Sequence, residues 1–330
     1  MTPSEAILLT RQEVASLLSL KECIAAVEDA FRRHGLGETI PPGVLGTHAD
    51  HGGFHIKTAI LRRQRGYFAA KCNANFPKNR ERHGLPTIQG AILLHDADDG
   101  RPLAVMDSIE ITILRTGAAS AVAAKYLARK DSRIATVCGC GNQGRIQLRS
   151  LCEVLSLKKI FSWDVDAGRA RDFAVEMSSE LGLEADAVTE VGSAAEQSDV
   201  IVTCTPAKKF FVRKEHIRPG TFIAAVGADN EEKQEIEPQL LRSAKVVADI
   251  REQCAAIGDL HHAIAAGVMQ ADEIHAELGE VVAGRKPGRE SDDEITLFDS
   301  TGTALQDVAA AAIVYEKAVA TGRGLRFSFS

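Results

Sequence analysis

No block of Lys or Arg stands out along the 330 residues, and the formal net charge is −6. A nucleic acid or an anionic membrane surface is therefore not an expected partner. No apolar run approaches the ~20 residues needed to cross a bilayer. The opening stretch, "MTPSEAILLTRQEV", turns acidic and polar too early for a secretory signal. A disulfide framework is also missing. The seven cysteines are odd in number and scattered, at Cys23, Cys72, Cys138, Cys140, Cys152, Cys204 and Cys254. That pattern fits reduced thiols, so a cytoplasmic protein is expected. Internal repeats and low-complexity tracts are absent.

What is present is ordinary for a globular chain: 45% hydrophobic and 25% charged residues. The length allows two domains of roughly 100–200 residues each. Residues 18–36 carry Ile24, Val27, Phe31 and Leu36 at helical spacing. Residues 54–106 hold short β-like runs ("FHIKTAIL", "GYFAAKCNA", "TIQGAILLHD", "PLAVMD") broken by Gly, Pro, Asn and Asp, which predict a largely antiparallel sheet. The Ala-rich stretch 111–130 predicts a long helix. From 133 the rhythm changes. "RIATVCG", "KKIFSWD", "SDVIVTCT", "TFIAAVG" and "AKVVADI" are apolar strands, and the first three alternate with amphipathic helices. That alternation predicts a Rossmann-type, doubly wound parallel α/β sheet. "TALQDVAAAAIVYEKAVATG" predicts a last helix that returns to the first domain.

The first strand of that second region runs into Gly139-x-Gly141-x-x-Gly144. Such spacing alone is weak evidence. Here it follows an apolar strand, opens a helix, and precedes Asp164, 20 residues past Gly144 (164 − 144 = 20). This context predicts a dinucleotide cradle. Gly139 makes the tight turn, Gly141 admits the pyrophosphate, and Gly144 lets helix and strand pack closely. Asn142 and Gln143 open the helix whose N-terminus takes the phosphates. Asp164 accepts from the adenosine ribose hydroxyls and repels a 2′-phosphate, favouring NAD(H) over NADP(H). Thr203, Thr205 and Pro206 follow the fourth strand, where a loop commonly passes the cofactor riboses. Ser300 and Thr301 either approach the nicotinamide or cap the last helix. Cys138 and Cys140 lack the further ligands a zinc site needs, so no metal is expected. The pair His261–His262 is expected to be polar surface.

Two stretches, "ITILRTGAASAVAAKYLA" (111–128) and "AVGADNEEKQEIEPQLL" (225–241), carry a resemblance. Together with "VCGCGNQG", "DVIVTCTPA" and "DEITLFDSTGTALQDVAAA", they make the chain similar to the ornithine cyclodeaminase/μ-crystallin family over nearly its whole length. The resemblance implies a smaller α+β substrate and dimerisation domain, expected at 1–118 plus 313–330. It implies an NAD(P)-binding domain at 119–312 and a homodimer. The family's chemistry moves hydride between nicotinamide and the α-carbon of a small imino or amino acid, as in Δ1-pyrroline-2-carboxylate reductases and amino-acid dehydrogenases. It also includes ornithine cyclodeaminases with tightly held NAD, and a crystallin that binds dinucleotide without catalysis.

By the same resemblance, Arg115 of the "RT" motif grips the substrate carboxylate, for which a guanidinium fork is suited. Thr116 beside it joins the cofactor group. Lys71 matches an active-site lysine that bonds the carboxylate or relays a proton. A charge between Ala70 and Cys72 on an apolar strand is costly unless paired. Thr87 matches a carboxylate-holding threonine. Asp229 is the acid, base or electrostatic partner for the substrate nitrogen, at a strand end where doubly wound sheets place ligands. The chain departs from the family at Gly43. Cyclodeaminases carry there an arginine that also grips the carboxylate. Lys57, in "HIKTA", is either its replacement from a neighbouring strand or a solvated strand residue. The departure weakens the cyclodeaminase reading.

Overall fold

The computed structural model describes residues 5–63 and 65–328. Residues 1–4, the start of the stretch read above against a secretory signal, lie outside them. The chain divides into two compact units, residues 1–115 with 303–330, and residues 116–302. These bounds differ from the sequence expectation, which placed the divisions after 118 and 312. The later one moves most, because the whole helix Ala304–Thr321 belongs to the first unit.

The first unit is built on a seven-stranded sheet. Its strands run Leu325–Ser328, Glu5–Leu9, Pro102–Asp107, Ile88–Asp96, Gly66–Asn75, Gly52–Arg62 and Thr39–Ala49 across the sheet. All neighbours are antiparallel except Glu5–Leu9 with Pro102–Asp107. The edge strand Thr39–Ala49 escapes sequence reading because it contains Pro41 and Pro42, which only an edge tolerates. The helices Leu20–Gly35 and Ala304–Thr321 pack against each other, and the second also lies on the central strands. Ser19 and Glu22 form a reciprocal cap at the start of the first. The second begins on the Thr303 side chain, which accepts from Leu305 N–H, so Thr303 rather than Ser300 or Thr301 is its cap. Its run Ala309–Ala312 is fully buried. Such short side chains let the helix axis approach the strands closely, and that approach sets what its first turn can touch.

Strand alternation sorts the sheet into two faces. Ile7, Ala59, Leu61, Ala69, Ile92, Leu94 and Met106 point into the core. The register puts Leu8, Leu45, Phe54 and Leu93 together on the other face. Each of these four is at least 41% exposed.

The second unit holds an eight-stranded sheet. Its order is Ala276–Glu277, Lys245–Ala248, Thr296–Asp299, Phe222–Ala225, Val200–Thr203, Ile134–Cys138, Lys159–Trp163 and Glu184–Ala187. Every pairing is parallel. The central strands are buried throughout, which is why they read as unbroken apolar runs. Sequence reading leaves out Thr296–Asp299, which inserts between two assigned strands. Ile134–Cys138 lies between its successors Lys159–Trp163 and Val200–Thr203, so the sheet reverses direction at this strand. Open α/β sheets bind ligands at such a reversal, beyond the strands' carboxyl ends. No described helix is long and apolar enough to cross a membrane.

Candidate active site

The loop Gly139–Gly144 leaves the sheet at its point of reversal. Gly139 has φ +103°, in the region that favours glycine, and a Cβ there would lie 2.9 Å from Cys204 O. A Cβ on Gly144 would lie 2.2 Å from Gly139 O, so loop and helix are in backbone contact. Gly141 is different. A Cβ on it would have nothing within 4 Å, and the residue is exposed. The opening therefore faces outward at the N-cap of the helix Asn142–Cys152, where no side chain caps the first turn. Unpaired N–H groups and the positive end of the helix dipole converge there. These features fit the pyrophosphate of a dinucleotide.

Asp164 sits at the end of the neighbouring strand. Its Oδ2 accepts from Cys140 N–H at 3.0 Å, which ties the acid to the glycine loop. Oδ1 accepts from Asp166 N–H at 3.0 Å, with Arg169 Nη1 at 3.6 Å. The cysteines around it are packing groups. Burial pushes the Cys138 thiol well above its ordinary value and the Cys140 thiol up to about 12, so neither is a reactive thiolate at neutral pH. Among the described residues, no group of three or more His, Cys, Asp or Glu is placed to hold a metal. His262 is part-buried, with Nε2 2.8 Å from Lys233 O.

Thr203 departs from expectation. It is fully buried, and its hydroxyl donates to Glu235 Oε2 at 2.6 Å, so it points into the protein rather than outward. Thr205 donates its hydroxyl to the same carboxylate, while Pro206 is exposed beside it. Ser300 and Thr301 are 3% exposed and donate to Asp249, at 3.4 and 3.1 Å. Asp229 is exposed beyond the strand Phe222–Ala225, and its Oδ1 lies 2.6 Å from Lys233 Nζ.

The first unit brings Lys71, Arg115 and Lys57 together. Lys57 stands directly across from Lys71 in the antiparallel pair, on the core-facing side. Both are buried, as is Arg115. The gathering group is Asp307, in the first turn of the helix Ala304–Thr321, where an acid also suits the helix dipole. Lys71 Nζ lies 2.8 Å from both Asp307 oxygens, and Arg115 Nε lies 3.1 Å from Oδ1. Arg115 Nη1 also donates to Gln306 Oε1 at 2.8 Å. Gln306 Nε2 is buried with no partner among the described residues.

One carboxylate thus serves two cations. Despite burial, Lys71 and Arg115 hold the Asp307 carboxyl below the usual range, so it stays ionised. Lys71 is the surplus charge. Burial, then the nearby Arg115, lower its pKa from 10.5 to about 7. Thr87 lies elsewhere. Lys71 pairs with Ile92, five residues along the strand direction from Thr87, which is roughly 16 Å at ~3.3 Å per residue. Gly43 pairs with Thr58, on the face opposite Lys57 and Lys71.

Sequence reading missed Asp307, Gln306 and Glu235. An acid in an otherwise apolar, Ala-rich helix was the available signal for Asp307. One Glu among the four at 231, 232, 235 and 237 gave none for Glu235.

The chain matches the model of the ornithine cyclodeaminase/mu-crystallin family over residues 4–322. It is 41% identical to an archaeal alanine dehydrogenase dimer with bound NAD, with a TM-score of 0.94 over 99% of this chain and 100% of that one. It is 38% identical to Thermococcus litoralis Δ1-pyrroline-2-carboxylate reductase in complex with NADH and L-proline, with a TM-score of 0.91 over 97% and 99% of the two chains. The iminosuccinate reductase of Paracoccus denitrificans, in complex with NAD+, is 32% identical, with a TM-score of 0.89 over 98% and 100%.

The lowered Lys71 pKa has a thermodynamic consequence. Between about pH 7 and 10.5 the unfolded chain holds a proton on Lys71 that the folded protein has released. Stability therefore rises with pH across this window through Lys71. Thermal unfolding at pH 7 and pH 9.5 should show Lys71→Met gaining less, or losing more, than the wild type on the same pH step. An identical pH response in both proteins would contradict a lowered Lys71 pKa. On its sequence, its fold and this glycine loop, the protein belongs to the ornithine cyclodeaminase/mu-crystallin family.

Proposed function

We propose that the protein is an NAD(H)-dependent oxidoreductase that moves hydride to or from the α-carbon of a small imino or amino acid. The substrate class is that of the Δ1-pyrroline-2-carboxylate reductase, iminosuccinate reductase and alanine dehydrogenase to which it is similar. The observation that carries this reading is the buried surplus of positive charge at Lys71 and Arg115, which among the described residues share Asp307 as their one acid. Such a surplus is costly without an anion, and a substrate carboxylate supplies one.

Arg115 holds the carboxylate, fixed in direction by Gln306 and Asp307. Gln306 Nε2 offers a further buried donor. Lys57 adds a third positive charge on the same face. Lys71, with a pKa held near neutrality, serves as the group that exchanges a proton during turnover. Asp229 faces solvent and balances the charge of the substrate iminium nitrogen. Gly139, Gly141, Asn142, Gln143 and Gly144 hold the pyrophosphate, Asp164 the adenosine ribose, and Thr116, Thr205 and Pro206 line the remainder. When bound, the nicotinamide supplies or takes up the hydride.

Asp164 favours NAD(H) over NADP(H), because its carboxylate repels a 2′-phosphate. The apolar outer face of the first unit, with Leu45 60% exposed, supports a homodimer, as in the archaeal relative. The likeness to two imine reductases and an alanine dehydrogenase favours net hydride transfer over cyclodeamination; position 43 does not bear on it, because Gly43 lies on the face opposite Lys57 and Lys71.

A spectrophotometric screen tests the reading. NADH oxidation is followed with pyruvate plus ammonia, oxaloacetate plus ammonia, and cyclic imines, while ornithine is assayed for ammonia release. We expect NADH oxidation with at least one imino acid and no ammonia from ornithine. The converse would establish cyclodeamination. With the best substrate, Lys71→Ala and Asp229→Ala should each lower kcat at least ~100-fold, as for loss of a positioned proton-transfer or charge-balancing group, and leave NADH affinity nearly unchanged. Near-normal rates in both would sink the assignment. Asp164→Ser should shift the NADH/NADPH preference toward NADPH at least ~10-fold, the effect of removing about 1.4 kcal/mol of repulsion. An unaltered ratio would count against the ribose role.

A further inference from the structure

Glu235 is fully buried, yet the sequence reading gives it no role. Its carboxylate accepts four hydrogen bonds, from Thr203 Oγ1 (2.6 Å), Thr205 N–H (2.6 Å), Thr205 Oγ1 (2.7 Å) and Gly227 N–H (2.8 Å). Thr203 ends the strand Val200–Thr203, and the other donors come from two loops. One follows the strand Val200–Thr203 and carries Thr205 and Pro206. The other follows its parallel neighbour Phe222–Ala225 and carries Asp229. Close approach is built in. A Cβ on Gly227 would lie 2.4 Å from Thr205 O and 2.5 Å from Glu235 Cδ.

The acid is itself held from behind. Its own N–H and that of Ile236 both donate to Asp259 Oδ1 at 2.9 Å. The strand Gln234–Ile236 is further paired with Lys208–Val212. Among the described residues Glu235 has no Lys or Arg partner. The charged or titratable groups that act on it or that it acts on are Asp259, Asp299, Cys138 and Cys204. A core acid without a countercharge is unfavourable unless donors satisfy it. Here main-chain N–H groups of the loops are among those donors, so its ionisation and the loop geometry depend on each other.

We infer that Glu235 is a positioning residue, which fixes the two strand-end loops so that Thr205–Pro206 and Asp229 keep one geometry toward dinucleotide and substrate. This rests on the proposed roles of those loops. Glu235→Gln is the discriminating variant. It keeps the shape but turns an amide N–H₂ toward at least one of the loop donors, so one loop must move.

NADH affinity by fluorescence titration and kcat by NADH oxidation should be measured on this variant, with thermal unfolding as the fold control. We expect NADH binding at least ~10-fold weaker and kcat at least ~10-fold lower, the equivalent of one or two lost charge-assisted hydrogen bonds. If Glu235→Gln unfolds, Thr203→Val and Thr203→Ser replace it. The valine removes one donor and should weaken NADH binding several-fold, and the serine restores it. A lower unfolding temperature with NADH affinity and kcat unchanged means a merely structural role and overturns the inference. Pro206→Trp and Asp229→Ala test the underlying reading separately. If Pro206→Trp leaves NADH affinity and Asp229→Ala leaves turnover unchanged, the loop roles fail. If those two are impaired while Glu235→Gln is not, only the positioning inference fails.

Discussion

A single buried carboxylate, Asp307, holds two cations where the core would otherwise exclude them. Lys71 and Arg115 both reach it, and neither has another acid among the described residues. Remove the acid and two positive charges are left in an apolar interior, which is strongly unfavourable. Keep it and the charge balance is still one short. The first unit is arranged around this shortage. The Ala-rich helix packs closely enough to set Asp307 over the strand Gly66–Asn75. Antiparallel register brings Lys57 level with Lys71. Gln306, one residue before Asp307, steers the guanidinium. Burial, then the Arg115 charge, lowers the Lys71 pKa to about 7, so one buried site underlies both the proposed carboxylate binding and the proposed proton exchange.

The second unit uses buried acids differently. Glu235, Asp249, Asp259 and Asp299 are all fully buried and all accept main-chain N–H groups: Glu235 and Asp249 from loops, Asp259 from the strand Gln234–Ile236, and Asp299 from the first turn of the helix Asp259–Ala265. Burial, and then their mutual repulsion, raises Asp259 well above the usual carboxylate value and Asp299 to about 7. These acids take the place that apolar packing occupies deeper in the sheet. Carboxylates direct loops more narrowly than apolar contacts do, because each accepted N–H has a preferred line. That suits loops whose exposed tips, Pro206 and Asp229, carry the proposed ligand contacts.

Much of this was legible in the sequence where the determinant is local. The glycine loop was readable because a turn, an opening and a helix start fall within Gly139–Gly144, and Asp164 sits at a fixed spacing. Arg115 and Lys71 were readable as charges amid apolar neighbours. The acids that organise them were not. Asp307 meets Lys71 across 236 positions, and Glu235 meets Thr203 across 32, so no short pattern joins them. Thr203 looked like a ligand group because its strand-end position was visible, while the inward turn of its side chain was not. Thr39–Ala49 hid behind two prolines, and Thr296–Asp299 has only Leu297 and Phe298 as apolar residues, fewer than the equally short Val200–Thr203 and Phe222–Ala225.

The central claim is that the cation pair on Asp307 exists to hold a substrate carboxylate. The direct measurement is NADH oxidation with the preferred imino acid and with the same imine lacking its carboxylate, in wild type and in Arg115→Met. The account predicts that wild type discriminates against the decarboxylated imine at least ~1,000-fold in kcat/KM, the worth of a charge-assisted bidentate contact in a buried site. It predicts that Arg115→Met removes most of that discrimination. Equal turnover of the two imines by wild type, or discrimination that survives intact in Arg115→Met, would contradict it.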